Sequence, residues 1–419
     1  MSTQSSYRWY HVATVAFVLS VCCFPAIASL FHLPKTFLHG VTMDKPRPPF
    51  SMKGFMKGSY QKGVEAWALK DSPVWSWSVK AANQLVYALT GEVSLDYGTT
   101  VQGGNDGYLW QPSYLAAFNR TRKPPREKIV DTFRKLKVVQ DFLRSKGVPL
   151  VAVINPNLIM LYPELLPEKY KAVQDRNSSY EVAREAISRW RPDVVDAFQL
   201  LRSKQHEYPF RFFEPTGSHW NEVGSCIAAR EISGELATAW NEEIPQLECD
   251  RFSLQSPPRP ADVDLVQIAN LLDEPSLYRE APYLANYPRP HFRKPRKILL
   301  IGTSFLFALE QQLLKHHIAE STTLLFYFSR VRQNGTGHFT WWQKKEIAAL
   351  DPLAFDAIII DANVAGPGIM GYGFLDFAMS RFNLTLPPVE RRAEREGRAR
   401  LKAQSSPAQD SDGVSDPAG

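Results

Sequence analysis

Two short segments of the sequence carry side chains that together suit nucleophilic catalysis. Ser304 follows the apolar run at residues 298–301 and opens a helical stretch, so its hydroxyl is predicted at the tip of a buried strand. His219 lies in a turn-like segment just before another helical stretch, at residues 223–237. Histidine is the usual base for a serine hydroxyl, and a helix N-terminus stabilises a developing oxyanion. We therefore predict Ser304 as a nucleophile and His219 as its base. Taken alone, Ser304 also fits a helix N-cap, and His219 also fits a packed or surface histidine.

The elements that must position these residues alternate between apolar strands and amphipathic helices. Buried strands are predicted at residues 148–154, 297–301, 324–328 and 356–361. Helices are predicted at residues 128–146, 223–237 and 305–316. Continuous apolar strands that alternate with helices indicate a parallel sheet covered on both faces, and ligands bind such sheets at the carboxyl ends of the strands. The predicted fold class is therefore α/β, with three layers and a mainly parallel sheet.

The N-terminal segment predicts export of the chain. Residues 12–31 carry no charge and are long enough to cross a bilayer as a helix. They are interpreted either as a retained signal anchor or as a cleavable signal with a processing site at Ala26-Ile27-Ala28. The anchor is favoured because apolar residues continue to Leu33, and both interpretations export the body. In an oxidising compartment Cys226 and Cys249 could pair, but two free buried thiols remain the alternative.

Composition excludes several classes of protein. With 419 residues, of which 44% are hydrophobic and 22% charged, the chain is neither intrinsically disordered nor, with four cysteines, a disulfide scaffold. A mean hydropathy of −0.27 does not fit a polytopic membrane protein. The net charge of +6 contains no dominant lysine and arginine block, so an anionic partner is permitted and no nucleic-acid partner is predicted.

Four motifs, in order along the chain, resemble those of the alginate O-acetyltransferase family, which comprises SGNH-hydrolase-like proteins. The resemblance spans about residues 75–377 and rests on short segments whose number, order and spacing match the family. These segments are Gly104-Asn105-Asp106-Gly107-Tyr108-Leu109-Trp110, Tyr162-Pro163-Glu164 with Pro156 and Pro167, Ser218-His219-Trp220-Asn221, and Gly302-Thr303-Ser304-Phe305.

The resemblance implies an activity, partners and a compartment. Ser304 would accept an acetyl group and His219 would act as its base, in an exported O-acetyltransferase or acetylesterase that uses no cofactor and no metal. The acceptor would be a hydroxyl of an extracellular polysaccharide, and a membrane-bound O-acyltransferase would supply the acetyl group. The expected location is the periplasm, with the N-terminal helix as an anchor in the inner membrane.

The sequence departs from the family at two positions. Gly217 stands where the family has an aspartate two residues before the histidine. Thr303 stands where the family usually has an aspartate directly before the serine. The first aspartate orients the imidazole, so we predict Glu214 or Asp361 as replacement acids. If neither replaces it, the alternatives are a weakened enzyme, a dyad enzyme, or a non-catalytic polysaccharide-binding or scaffold subunit of an exopolysaccharide assembly complex.

A basic and aromatic segment after the predicted strand at 324–328 suggests a groove for sugars. Its candidate substrate-binding residues are Arg330, Arg332, Trp341 and Trp342, although aromatic side chains at such density are more often core. The predicted organisation is a signal anchor or signal peptide at 1–35, a linker and helical lead-in at 36–74, the acetyltransferase domain at 75–388 and a disordered tail at 389–419.

Overall fold

The computed structural model describes residues 3–40, 48–71, 73–94, 100–118, 125–170, 178–244, 246–285 and 296–387. The predicted tail at residues 389–419 lies outside the described residues.

The helices of the described residues follow the chain in this order: α1 (Thr3–Leu30), α2 (Met52–Met56), α3 (Ser59–Asp71), α4 (Pro73–Thr90), α5 (Pro112–Phe118), α6 (Arg126–Ser145), α7 (Leu158–Leu161), α8 (Ser179–Trp190), α9 (Ala197–Lys204), α10 (Glu222–Trp240), α11 (Asp264–Ala269), α12 (Phe305–Lys315), α13 (Lys344–Ala348) and α14 (Phe374–Arg381). The strands are β1 (Glu92–Ser94), β2 (Thr100–Gly103), β3 (Leu109–Trp110), β4 (Leu150–Asn155), β5 (Val194–Val195), β6 (Phe252–Gln255), β7 (Ala281–Leu284), β8 (Lys297–Gly302), β9 (Ser321–Phe326), β10 (Arg330–Gln333), β11 (Thr336–Trp341) and β12 (Ala357–Asn363).

Seven of these strands form the central sheet, in the order β11-β10-β9-β8-β12-β4-β5. Strands β9, β8, β12, β4 and β5 pair in parallel, and the hairpin β10–β11 adds two antiparallel strands at one edge. All six residues of β4 are buried, as are the first six of β12, so both faces of the sheet centre are covered. The prediction of an α/β fold with a mainly parallel sheet is confirmed.

Helix α6 shows how the sequence pattern produces this packing. Ile129, Phe133, Leu136, Val139 and Leu143 are all buried, and their spacing of three and four residues places them on one helical face. This face packs against the sheet and against α8 and α14, while α10 packs with α12 and α9 as a second group of helices. Together these contacts form the main hydrophobic core.

A second, smaller hydrophobic cluster lies apart from the main core. It joins the three-stranded sheet β1-β2-β3 to the short helix α11 and the residues beside it. Its buried members are Val93, Val101, Leu109, Val263, Leu265, Val266, Ala269 and Leu271. This cluster fixes the place of α11, which proves important for the functional site.

The N-terminal segment forms α1, and its side chains at residues 9–24 are exposed. Within the described residues, no helix combines the length and the apolar character that crossing a membrane requires, so the predicted membrane anchor is not found. Cys226 in α10 and Cys249 form a disulfide, whereas Cys22 and Cys23 in α1 are free.

Candidate active site

Ser304 lies between the end of β8 and the start of α12, at the carboxyl edge of the parallel sheet. The carboxylate of Asp361 accepts two hydrogen bonds from Thr303 in this turn, one from the backbone N–H (2.7 Å) and one from Oγ1 (2.6 Å). Asn155 donates to the same carboxylate. Gly302 is required here, because a Cβ at that position would lie 1.6 Å from Oδ1 of Asp361. The carboxylate of Asp361 therefore anchors the serine turn.

His219 faces Ser304 from the loop before α10, and its Nε2 lies 2.6 Å from Oγ of Ser304. The neighbouring Trp220 is 1% exposed, and Asn221 caps α10 by accepting from the N–H of Gly224. These contacts fix the backbone on the C-terminal side of the histidine. Both His219 and Ser304 keep part of their surface exposed, so a substrate has access to the pair.

A third residue, Asp264, completes the constellation. Its Oδ2 lies 3.1 Å from Nδ1 of His219. Ser218 holds the same carboxylate, since its N–H donates to Oδ1 (2.7 Å) and its hydroxyl to Oδ2 (2.5 Å). Burial alone would raise the pKa of Asp264, but the charge of His219 and the hydrogen bonds from His219 and Ser218 outweigh it and hold that pKa below its ordinary value. Asp264 is therefore ionised beside the imidazole.

The carboxylate beside His219 is thus neither Glu214 nor Asp361, the two that the sequence suggested. Asp361 bonds with Thr303 and Asn155, as described. Glu214 is buried and accepts a hydrogen bond of 3.0 Å from Nδ2 of Asn221. Burial raises its pKa to about 7. These two carboxylates stabilise the serine turn and the histidine loop without contacting the imidazole.

Asp264 reaches the histidine because the first turn of α11 and the residues just before it pack directly on the histidine loop. The backbone oxygen of Thr216 accepts from the N–H groups of Leu265 (3.0 Å) and Val266 (3.3 Å). At Gly217, a Cβ would lie only 2.7 Å from the backbone oxygen of Asp262. The absence of a side chain at residue 217 is therefore what allows the segment carrying Asp264 to approach.

The segment is also held on its other side. Arg259 donates to both carboxylate oxygens of Asp262, at 2.8 Å and 3.0 Å, and Asp262 is fully buried. Paired hydrogen bonds of this kind restrict orientation as well as distance. The position of Asp264 is consequently fixed by the small cluster and by this ion pair.

Tyrosines that the sequence interpretation did not single out lie near the serine turn. The N–H of Tyr327 donates to the oxygen of Gly302 (2.8 Å), and its ring packs edge-on against Tyr372 at 4.8 Å. Both tyrosines have positive φ, 50° and 52°, a region that costs energy for a side chain of this size and recurs at functional sites. Burial and the charge of Asp361 raise the pKa of Tyr327, so its hydroxyl is neutral. The position of Tyr327 directly after β9 is the sequence feature that could have identified it.

The four predicted sugar-binding residues lie on and beside the hairpin β10–β11, and none hydrogen-bonds to Ser304 or His219. Arg332 pairs with the buried Glu310 (2.5 Å), and Trp342 is half-buried against the core. Arg330 lies among aromatic rings, and Trp341 is 74% exposed. Of the four residues, Arg332 and Trp342 are packed, Arg330 is partly buried among rings, and only Trp341 is exposed.

The arrangement of Ser304, His219 and Asp264 is that of a catalytic triad. When Nδ1 carries the only ring proton, the imidazole donates to Asp264 and presents the lone pair of Nε2 to the serine hydroxyl. Among the residues with a described placement, no cluster of three or more His, Cys, Asp or Glu side chains could hold a metal ion.

Comparison with known proteins gives related sequences and structures. The chain is similar to the probable alginate O-acetylase AlgJ of Pseudomonas aeruginosa, with 25% identity over 159 residues. That match covers 36% of this chain and only 38% of the relative. The O-acetyltransferase domain of Pseudomonas putida AlgJ is 17% identical, with a TM-score of 0.41 over 67% of this chain and 99% of that one. Pseudomonas aeruginosa AlgX is 16% identical, with a TM-score of 0.38 over 67% of each chain.

A family model described as the SGNH hydrolase-like domain of the acetyltransferase AlgX matches residues 101–314, about half of the chain. The matched range contains Ser304, His219 and Asp264, and it confirms the resemblance that the four motifs indicated. This chain therefore belongs to the AlgX family of SGNH hydrolase-like acetyltransferase domains.

Proposed function

We propose that this chain is an exported O-acetyltransferase that acetylates hydroxyls of an extracellular polysaccharide through an acetyl-serine intermediate. The observation that carries the proposal is the 2.6 Å contact between Nε2 of His219 and Oγ of Ser304, with Asp264 behind the imidazole. Family membership and the similarity to a probable alginate O-acetylase support the same reaction class.

The reaction would proceed in two balanced halves. In the first, Oγ of Ser304 attacks the carbonyl carbon of an acetyl ester while Nε2 of His219 takes the hydroxyl proton. Backbone N–H groups at the start of α12 stabilise the oxyanion, and the leaving alkoxide receives the proton from His219. In the second half, a sugar hydroxyl gives its proton to His219 and attacks acetyl-Ser304, and the proton returns to the serine oxygen.

Asp264 has the role of a positioning acid. Its carboxylate fixes the Nδ1–H tautomer of His219 and stabilises the imidazolium that forms when the serine proton is taken. The scaffold alternative rested on Gly217, which lacks the expected carboxylate. Since Asp264 supplies a carboxylate at Nδ1, the geometry favours an enzyme.

The compartment and the donor complete the proposal. The disulfide between Cys226 and Cys249 fits an oxidising compartment, and we propose the periplasm. Acetyl-CoA is a cytoplasmic donor, so a membrane-bound O-acyltransferase would deliver the acetyl group to this chain.

The proposal is tested by turnover of an activated ester, p-nitrophenyl acetate, with and without a polysaccharide acceptor. We expect wild-type protein to release nitrophenol and to transfer acetyl groups to the acceptor. Ser304→Ala should abolish both reactions, and His219→Ala should lower both by at least about 100-fold. Wild-type rates in Ser304→Ala would refute the assignment of the nucleophile.

A further inference from the structure

Nδ1 of His219 lies beside two oxygen atoms, one from Asp264 and one from Ser218. Oδ2 of Asp264 is 3.1 Å from Nδ1, and the hydroxyl Oγ of Ser218 is also 3.1 Å from it. The same hydroxyl lies 2.5 Å from Oδ2 of Asp264. Ser218 is 7% exposed, so its hydroxyl is shielded from bulk water. The three atoms therefore form a closed triangle at the nitrogen of the imidazole that does not contact Ser304.

The direction of the Ser218 hydroxyl proton determines what the hydroxyl offers to the histidine. A hydroxyl has one proton to donate and lone pairs that accept, whereas a carboxylate only accepts. A hydrogen bond to a charged carboxylate is stronger than one to a neutral ring nitrogen, and it is also the shorter of the two here, 2.5 Å against 3.1 Å. The proton therefore points to Asp264, and the lone pairs of the Ser218 oxygen face Nδ1.

Both oxygen neighbours of Nδ1 are then acceptors. Each of them favours the form of His219 that carries its ring proton on Nδ1. In that form Nε2 has a free lone pair, which is what the base for the Ser304 hydroxyl needs. The carboxylate thus acts on the imidazole twice, once directly and once through the hydroxyl that it orients.

We infer that Ser218 is a positioning residue that acts with Asp264 to keep the ring proton of His219 on Nδ1. The hydroxyl proton of Ser218 stays on its own oxygen through both halves of the reaction, so no additional proton transfer is involved. The inference rests on the proposed function, because Ser218 acts through the base and not in contact with the substrate. It predicts that the contribution of Ser218 depends on the charge of residue 264.

An asparagine at residue 264 should reverse the contacts at Nδ1. The backbone N–H of Ser218 donates to Oδ1 of Asp264 at 2.7 Å. In Asp264→Asn the amide oxygen must take that place, because the NH2 group cannot accept. The NH2 group then takes the place of Oδ2 and becomes a donor. The Ser218 hydroxyl loses its carboxylate acceptor and is free to donate to Nδ1, so the ring proton moves to Nε2 and blocks the base.

A double-mutant cycle tests this dependence with p-nitrophenyl acetate as the substrate. Ser218→Ala should lower kcat about tenfold with little change in KM, because one hydrogen bond that holds the acid and the histidine is lost. In Asp264→Asn protein the same replacement should cause no further loss. Ser233→Ala is the matched control, since the buried Ser233 hydroxyl donates to the backbone oxygen of Ala229 within α10. This control should turn over at the wild-type rate.

Nitrogen-15 NMR of the histidine side chains locates the ring proton without any turnover. The spectra are recorded at a pH above which the ring signals no longer change, and the signals of His219 are those that His219→Ala protein lacks. We expect the proton on Nδ1 in wild-type and Ser233→Ala protein, on Nε2 in Asp264→Asn protein, and a mixture of both forms in Ser218→Ala protein. A purely structural role of Ser218 would leave the proton on Nδ1.

Three results would overturn the inference. The first is an equal loss of turnover from Ser218→Ala in the wild-type and Asp264→Asn backgrounds. The second is an unchanged position of the ring proton in Ser218→Ala protein whose thermal unfolding matches the parent. The third needs no change at residue 218, because a ring proton on Nε2 of His219 in wild-type protein would contradict the geometry directly.

A labelling measurement separates failure of this inference from failure of the enzyme assignment. The reagent is a serine-directed sulfonyl fluoride, with a mass shift on Ser304 as the readout. Normal labelling of wild-type protein, together with an equal rate and an unchanged ring proton in Ser218→Ala, would reject the role of Ser218 alone. Absent labelling of wild-type protein, with a ring proton that responds to Ser218 and Asp264 as expected, would reject the catalytic proposal alone.

Discussion

A single methyl group at residue 217 should weaken catalysis, although residue 217 itself takes no part in the proposed chemistry. In Gly217→Ala the new Cβ would lie 2.7 Å from the backbone oxygen of Asp262 and 2.9 Å from its carbonyl carbon. Ordinary contact begins at 3.4 Å, so one of the two segments must move by about 0.7 Å. The atoms in the way are backbone atoms, which cannot rotate aside.

The direction of that movement determines the effect on the site. Asp262 is fully buried and tied to Arg259, and two residues later Asp264 contacts Nδ1 of His219. A misplacement of about 1 Å in a catalytic constellation costs on the order of 100-fold in rate. We therefore expect the labelling rate of Ser304 to fall between about 10-fold and 100-fold, and stability to fall by about 1–3 kcal/mol from overpacking.

The assay is the second-order rate of sulfonyl fluoride labelling at Ser304, measured by mass spectrometry, with thermal unfolding of the same samples. Gly234→Ala is the matched control. Gly234 lies within α10, and a Cβ there would meet nothing within 4 Å. That variant should label at the wild-type rate and be more stable by about 0.5–1 kcal/mol.

If Gly217→Ala is labelled as fast as Gly234→Ala, the close approach of the two segments does not position the acid. A loss of labelling that only follows global unfolding at the assay temperature would equally reject the local account. A slow but folded variant is the predicted result.

Three further predictions concern the acid beside His219, the buried Glu214 and the disulfide. Asp264→Asn keeps the size of the side chain but removes the charge at Nδ1 of His219, so esterase turnover should fall roughly 1,000-fold with little change in unfolding temperature. Adding Gly217→Asp should not restore turnover, because the new side chain meets Asp262, and rescue would contradict this packing. Burial raises the pKa of Glu214 from 4.5 to about 7, so the folded protein binds this proton more tightly and the free energy of unfolding falls as pH rises from about 4.5 through 7. In denaturant titrations at several pH values, Glu214→Gln should remove up to about 3 kcal/mol of that fall, and an unchanged dependence of stability on pH would contradict this. Replacing Cys226 and Cys249 together by serine removes a disulfide between residues 23 apart, so the free energy of unfolding under oxidising conditions should fall by about 3 kcal/mol. Equal stability with and without the disulfide would contradict this.

The serine and histidine were predictable because their surroundings are local in sequence. Ser304 follows an uninterrupted apolar strand and precedes a helix, and His219 stands just before the N-cap of another helix. Hydrophobic periodicity places such junctions at the edge of a parallel sheet. The strands β4, β8 and β12 were located from the same signal.

The acid was not predictable in this way. Asp264 begins a six-residue helix that belongs to the small cluster, so nothing in its local pattern relates it to His219. Its contact depends on tertiary packing against Gly217. The glycine that signals loss of the family aspartate is also the residue that makes room for its replacement. The hairpin β10–β11 was seen only as an aromatic segment, because its strands are short and its apolar residues interact across strands.

The most direct test of the account is the mass of the peptide that contains Ser304 after brief incubation with an activated acetyl ester and acid quench. We expect one added acetyl group on Ser304 in wild-type protein. We expect a much slower gain in the His219→Ala and Asp264→Asn proteins and none in Ser304→Ala. An acetyl group on another residue, or equal acetylation in all of these proteins, would contradict the proposal that Ser304, His219 and Asp264 form the reacting triad.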